Sequence, residues 1–127
     1  MSLPCQWLVT AGQIVAGSGC DWGSGRSKDA DLLGWDKYDP HWGQTDPPAG
    51  PYTQMLCAFV LDVLPVDQHP SVLDAIRARL APGGSAFIVV RRGPSHTRKP
   101  YVPITLALPL VHETSAYAIY RLCSSEV

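Results

Sequence analysis

The 127 residues suffice for one domain with its own core, and residues 1–127 are read as a single unit. With 46% apolar and 17% charged residues the chain is expected to be ordered, and no apolar run is long enough to cross a bilayer. No charged leader precedes an apolar stretch, so the expectation is a soluble, cytoplasmic protein without membrane contact. The net charge of -1 hides an asymmetry: nine acidic and three basic side chains up to residue 75, then two acidic and seven basic. Such a distribution suits a cationic ligand in the first half and an anionic one in the second, or simply two solvated surfaces.

Pro4 to Ala11 reads as a short helix ending near Gly12. Gly19 to Trp22 reads as a strand that runs into the turn Gly23-Ser24-Gly25. Ser27 is a plausible N-cap for a helix through Leu33, with Asp29 and Asp31 near its positive end. Gly34 to Tyr38 makes a second strand. Pro40 to Pro51 holds four prolines and two glycines, which exclude both helix and central strand. Tyr52 to Leu64 begins as a buried strand and ends in a turn or short helix.

The clearest helix is "HPSVLDAIRARLAPGG". It starts at His69 or Ser71, places Val72, Leu73, Ile76 and Leu80 at helical spacing, and stops at the glycines. "SAFIVVRR" is a β-branched strand. "PITLALPLVHETSAYAIYRL" reads as a hairpin turning near Glu113, Thr114 and Ser115. Strands and helices alternate before that hairpin, so the fold class is α/β: a mostly parallel sheet with an antiparallel C-terminal hairpin. The four cysteines, Cys5, Cys20, Cys57 and Cys123, contain no C-x-x-C pair and read as reduced thiols; no metal site is expected.

In an open parallel sheet, ligands bind beyond the carboxyl ends of the strands, where a glycine turn admits them to the backbone. Here Asp21 precedes the Gly23–Gly25 turn, and Asp39 ends the second strand. Nicotinamide cofactors use G-x-G-x-x-G with their pyrophosphate on the helix N-terminus. Ser27 stands near where a third glycine belongs, and Asp21 would repel a pyrophosphate, so a dehydrogenase is the weakest option.

Four elements in order, "CDWGSGRSKDADLL", the acid in "KYDP", "YTQMLCAFVLDVL" and "VLDAIRARLAPGGSAFIVVRR", resemble class I S-adenosylmethionine-dependent methyltransferases. The resemblance runs from Cys20 to Arg92 and extends to the hairpin. It implies a Rossmann-like sheet with S-adenosyl-L-methionine as the cofactor. Asp21 and the backbone of Gly23, Ser24 and Gly25 would then surround the methionine portion and ribose, and Asp39 would accept from the ribose hydroxyls. Pro40, His41 and Trp42 would lie near the adenine, while Cys57, Ala58 and Phe59 would line the other side. Two alternatives stay open: Asp39 as a turn former before proline, and Asp36 in the ribose role.

The chain also departs from that pattern. Only the 12 residues Pro40 to Pro51 separate Asp39 from Tyr52. They can span about 40 Å, enough to return along one strand, but leave no room for an outer strand with its helices. The implied fold is therefore a reduced one, whose second strand becomes an edge that a homodimer could cover. Gly93 to Pro103 is likewise too short and proline-rich for the helix expected before the hairpin.

Candidate bases are His41, Asp62 and His112. "DPPAGPY" is read as a proline loop rather than as the D-P-P-Y motif of DNA-methylating enzymes, which it resembles. Arg91, Arg92, Arg98 and Lys99 could hold phosphates of a nucleic acid or of a small anionic substrate. The methyl acceptor is left open. Against a catalytic methyltransferase stands a degenerate module that binds cofactor or partner without turnover.

Overall fold

A computed structural model of the chain describes residues 1–43, 46–93 and 102–124. Helix α1 (Leu3–Thr10) is capped by Ser2, whose side chain accepts from the Cys5 N–H, with Pro4 in the first turn where its missing donor costs nothing. Strand β1 (Cys20–Trp22) leads through the glycine turn to α2 (Asp29–Leu33), and β2 (Asp36–Tyr38) follows. Next come β3 (Tyr52–Ala58), α3 (His69–Arg77), the long β4 (Leu80–Arg91), β5 (Leu110–Glu113) and β6 (Tyr117–Cys123).

The six strands lie in the order β2-β1-β3-β4-β6-β5. The first four are parallel, and β6 runs antiparallel to both β4 and β5. The expected α/β class is therefore the observed one. Strict alternation along the central strands divides the core into two layers. Cys57, Ile88, Val90, Ala118 and Tyr120 face α3, whose Ile76 is fully buried among them. Leu56, Phe87, Val89 and Ile119 face α1 and α2, meeting Cys5, Leu8, Ala30 and Leu33. Each fully buried aliphatic side chain contributes about 1.5–3 kcal/mol.

Several boundaries differ from expectation. The third helix stops at Arg77, where the Ala78 N–H closes the last turn on the Asp74 carbonyl. Leu80 belongs to β4, not to the helix, and pairs with Tyr52. "APGG" is the start of that strand, with an irregularity between Tyr52 and Gln54 of β3 that absorbs the proline and glycines. Ser27 sits one residue outside the cap position: Lys28 occupies it, and the Ser27 hydroxyl accepts from the Asp29 N–H at 3.1 Å. The hairpin's first strand begins only at Leu110, because Pro103 and Pro109 lack the donors a ladder needs.

Among the described residues no strand lies beyond β2, as the short proline-rich connection requires. That connection is pinned by Arg79, the residue before β4. The Arg79 Nε donates to the Pro48 carbonyl at 2.9 Å, and the Tyr52 N–H donates to the Arg79 carbonyl at 2.8 Å.

Candidate functional site

A crevice of about 600 Å³ opens beyond the carboxyl ends of β1, β2 and β3, with α3 as its far wall. It is floored by Trp22 and the Gly23–Gly25 turn, bounded on the β2 side by Tyr38, Asp39, Pro40 and His41, and on the β3 side by Ala58, Phe59 and Val60. Val63 and Leu64 of a short turn, and Ser71, Val72 and Ala75 of α3, complete it.

The turn owes its shape to two glycines with left-handed backbone, Gly23 at φ 81° and Gly25 at φ 54°. Gly23 is also bare for packing reasons: the Cγ2 of Val60 sits where a Cβ would be. The space above Gly25 is open, and a Cβ there would have only the Asp39 Oδ2 and the Trp42 Nε1 within reach, both at 3.8 Å. The turn's amides are not bare, contrary to the usual picture of such loops. The Gly23 and Ser24 N–H groups donate to the Tyr38 carbonyl at 2.6 and 3.3 Å, and the Gly25 N–H donates to the Asp39 Oδ2 at 2.9 Å.

Asp39 thus joins the ends of two adjacent strands. Its Oδ1 accepts the His41 N–H at 3.0 Å, capping the 3-10 turn Pro40–Trp42. The turn-forming role is therefore real, yet each carboxylate oxygen has a second lone pair to offer, and Asp39 lines the crevice. Asp36, the rival, lies at the opposite end of β2 and accepts from the Tyr52 hydroxyl at 2.6 Å. It does not line the crevice.

Two site residues lie elsewhere than the resemblance implies. Asp21 is buried below the floor and is not among the lining residues. Burial first, then the Asp29 and Asp39 carboxylates, push its pKa up to about 7, with Lys37 opposing. Cys57 faces the α3 layer of the core, fully buried, and burial pushes its thiol well up; the crevice meets Ala58 and Phe59 instead. Ser24 lines the crevice, and its buried hydroxyl has no hydrogen-bond partner among the described residues. A buried polar atom left unpaired at a cavity wall is an invitation to a ligand, since desolvating it alone costs about 1–3 kcal/mol.

Of the three candidate bases, only His41 borders the crevice. Both Asp62 oxygens accept the Arg91 N–H, at 3.0 and 3.1 Å, so this acid ties the turn after β3 to the end of β4. His112 stacks on Trp7, ring centroids 4.0 Å apart and planes 7° off parallel, on the far face of the sheet.

Of the basic cluster, Arg92 is engaged within the fold. Arg92 bridges Glu113 at 2.8 Å, the Tyr120 hydroxyl at 2.8 Å and the Ile104 carbonyl at 2.8 Å. It fastens β4 to the hairpin. Arg98 and Lys99 lie outside the described residues.

Sequence reasoning passed over several residues that shape the crevice. The His69 Nε2 lies 2.8 Å from the Leu61 carbonyl and 3.1 Å from that of Leu64, holding the turn that carries Val63. The Arg79 guanidinium lies 4.7 Å from the centre of the Trp22 ring, which in turn meets Tyr38 at 4.3 Å. Hydrophobic periodicity marked Val72 as helical, but only the packing of α3 over the strand ends shows that it and Ala75 face a cavity.

No protein-family model and no curated protein sequence matches this chain. Solved structures do match it. One is the 1,6-didemethyltoxoflavin-N1-methyltransferase of Burkholderia thailandensis, crystallised with 1,6-didemethyltoxoflavin and S-adenosylhomocysteine. Its TM-score is 0.58 and identity 17%, over 97% of this chain and 61% of that one, so the present chain spans about three-fifths of that enzyme's length. The N-methyltransferase NodS of Bradyrhizobium japonicum WM9 matches with a TM-score of 0.66 and 14% identity, over 97% of this chain and 95% of the other. The magnesium protoporphyrin IX methyltransferase of Synechocystis PCC 6803, solved with S-adenosylmethionine, gives 0.59 and 13%, over 96% and 76%. By superposition on these structures, the chain has the Rossmann-like fold of the class I S-adenosylmethionine-dependent methyltransferases, without a strand beyond β2 among the described residues.

Proposed function

We propose that this chain binds S-adenosyl-L-methionine in the crevice above β1 and passes its methyl group to an acceptor. One observation carries the reading. The Gly25 turn and the Asp39 carboxylate meet across the ends of β1 and β2, beside the unpartnered Ser24 hydroxyl. These residues fit the cofactor: Asp39 retains acceptor directions for ribose hydroxyls, and Gly25 leaves the space above the turn open. Ser24 has a hydroxyl to satisfy. Pro40, His41 and the neighbouring Trp42 would border the adenine on one side, and Ala58 and Phe59 on the other.

When bound, S-adenosyl-L-methionine supplies a methyl on a sulfonium, which the acceptor's lone pair displaces while the C–S electron pair leaves with sulfur. The protein's task is alignment, since holding nucleophile and carbon about 3–3.5 Å apart can supply much of the acceleration. His41 is the group at the crevice that could take the acceptor's proton, where the acceptor must lose one. Asp21, beneath the floor, adds negative potential when ionised.

A second reading has an observation in its favour. Two of the three candidate bases are engaged away from the crevice, and no strand extends the sheet beyond β2 among the described residues. Such a chain could bind the cofactor without turning it over. Titration calorimetry with S-adenosylmethionine and S-adenosylhomocysteine separates the cases. Binding of neither rejects both. Binding with no transfer of labelled methyl to any component of a cell extract favours the non-catalytic module.

A further inference from the structure

Among the described residues ten have a positive backbone φ, and nine of them are glycines. The tenth is Phe59, at φ 62°. For a bulky side chain this region is an outlier, because the Cβ crowds the following carbonyl oxygen. Glycine and asparagine adopt it with little strain.

Phe59 follows β3 directly, at the crevice. Its N–H donates to the Val89 carbonyl of β4 at 2.8 Å, and the chain then leaves the sheet for the short turn Leu61–Val63. That path sets the Cγ2 of Val60 against Gly23 and buries Leu61 in the core. A glycine could follow the same path without strain, so the strain is tied to the ring. The ring is not hidden in the core: Phe59 is half-buried, packs against the layer of α1 and α2, and also lines the crevice. Strain held beside a cavity marks a residue shaped for a ligand. Asp39 ends the neighbouring edge strand, and β1 lies between β2 and β3. Strands stand about 4.8 Å apart, so these two ends are separated by roughly 10 Å across the glycine turn. A ribose held by Asp39 can carry its base over that gap.

Resting on the cofactor reading above, we infer that Phe59 is a specificity-determining residue: its ring is the face on which the base of the bound nucleoside packs. The ligand-free fold is weakened by the left-handed backbone that places a ring there. Aromatic faces gain from one another beyond the area they bury.

The test compares Phe59→Asn, which suits the left-handed backbone but has no ring, with Phe59→Tyr, which keeps both ring and strain. S-adenosylhomocysteine and adenosine, which lacks the amino-acid arm, are titrated calorimetrically into each full chain. Phe59→Asn should weaken both ligands by about tenfold, with a thermal midpoint no lower than that of the wild type. Phe59→Tyr should leave affinity and midpoint near their wild-type values. Adenosine that ignores the Asn substitution, or that the wild type does not bind, overturns the inference. So does a midpoint that drops in Phe59→Asn, which would make the ring a packing residue. If adenosine binds and responds as expected but S-adenosylhomocysteine does not bind, the cofactor reading fails and the base platform stands. If S-adenosylhomocysteine binds equally well to wild type and Phe59→Asn, only the role of the ring falls.

Discussion

At the scale of single residues, Asp39 and Asp21 illustrate how position changes the meaning of a carboxylate. Asp39 is shared between the Gly25 and His41 amides, so it is held rigid before any ligand arrives. Asp39→Ala should weaken S-adenosylmethionine by roughly 1.5–3 kcal/mol, the scale of hydrogen bonds to a charged group. Calorimetry reads this directly, and unchanged affinity would reject the ribose assignment. Asp21 is different, because its pKa is raised from 3.8 to about 7 on folding. The unfolded chain therefore gives up this proton at lower pH than the folded one. Its contribution to stability is greatest below about pH 4 and declines as pH climbs to about 7. Asp21→Asn should flatten that decline and raise the thermal midpoint at pH 8, measured by circular dichroism across pH. A variant that keeps the wild-type slope would refute this account.

At the scale of elements, the turn that carries Val63 depends on one imidazole. His69 reaches both the Leu61 and Leu64 carbonyls from the first turn of α3, and it is 7% exposed. His69→Ala should cost about 1–3 kcal/mol in denaturant unfolding, because two carbonyls lose a buried donor. His69→Gln, which keeps an N–H at similar reach, should recover part of it; no recovery would point to packing alone. The sequence disclosed α3 through the spacing of Val72 and Ile76, and β1 with its glycine turn through Asp21, Gly23 and Gly25. It did not disclose where α3 gives way to β4, since Leu80 continues the helical period by chance while pairing with Tyr52 in the sheet. Nor could local pattern reveal that Cys57 faces the core while Ala58 faces the crevice. That depends on which layer each strand residue joins. Val60 and His69 were hidden for a similar reason: their partners, Gly23 and the Leu61–Leu64 turn, are met only in space.

At the scale of the whole molecule, β2 is an edge of the sheet among the described residues. The strand is three residues long, and its Lys37 pairs with Asp31 at 3.0 Å; short charged edges are a means of discouraging intermolecular pairing. A dimer held through this edge should thus be weak, and sedimentation at rising concentration should find monomer below the high-micromolar range. A stable dimer would show instead that the edge is covered by a second copy. The two-layer core makes the crevice answerable to both faces of the sheet: α3 walls it, while α1 and α2 press on Asp21 from the other side. One contact spans that far layer, for the Ser2 N–H and hydroxyl both donate to the Asp29 carboxylate, at 2.7 and 2.6 Å. Cutting the polypeptide back past this serine would strip a buried acid of its two donors and set a bare negative charge next to Asp21. The second residue thereby acts as a remote tuning peg for the electrostatics under the glycine turn.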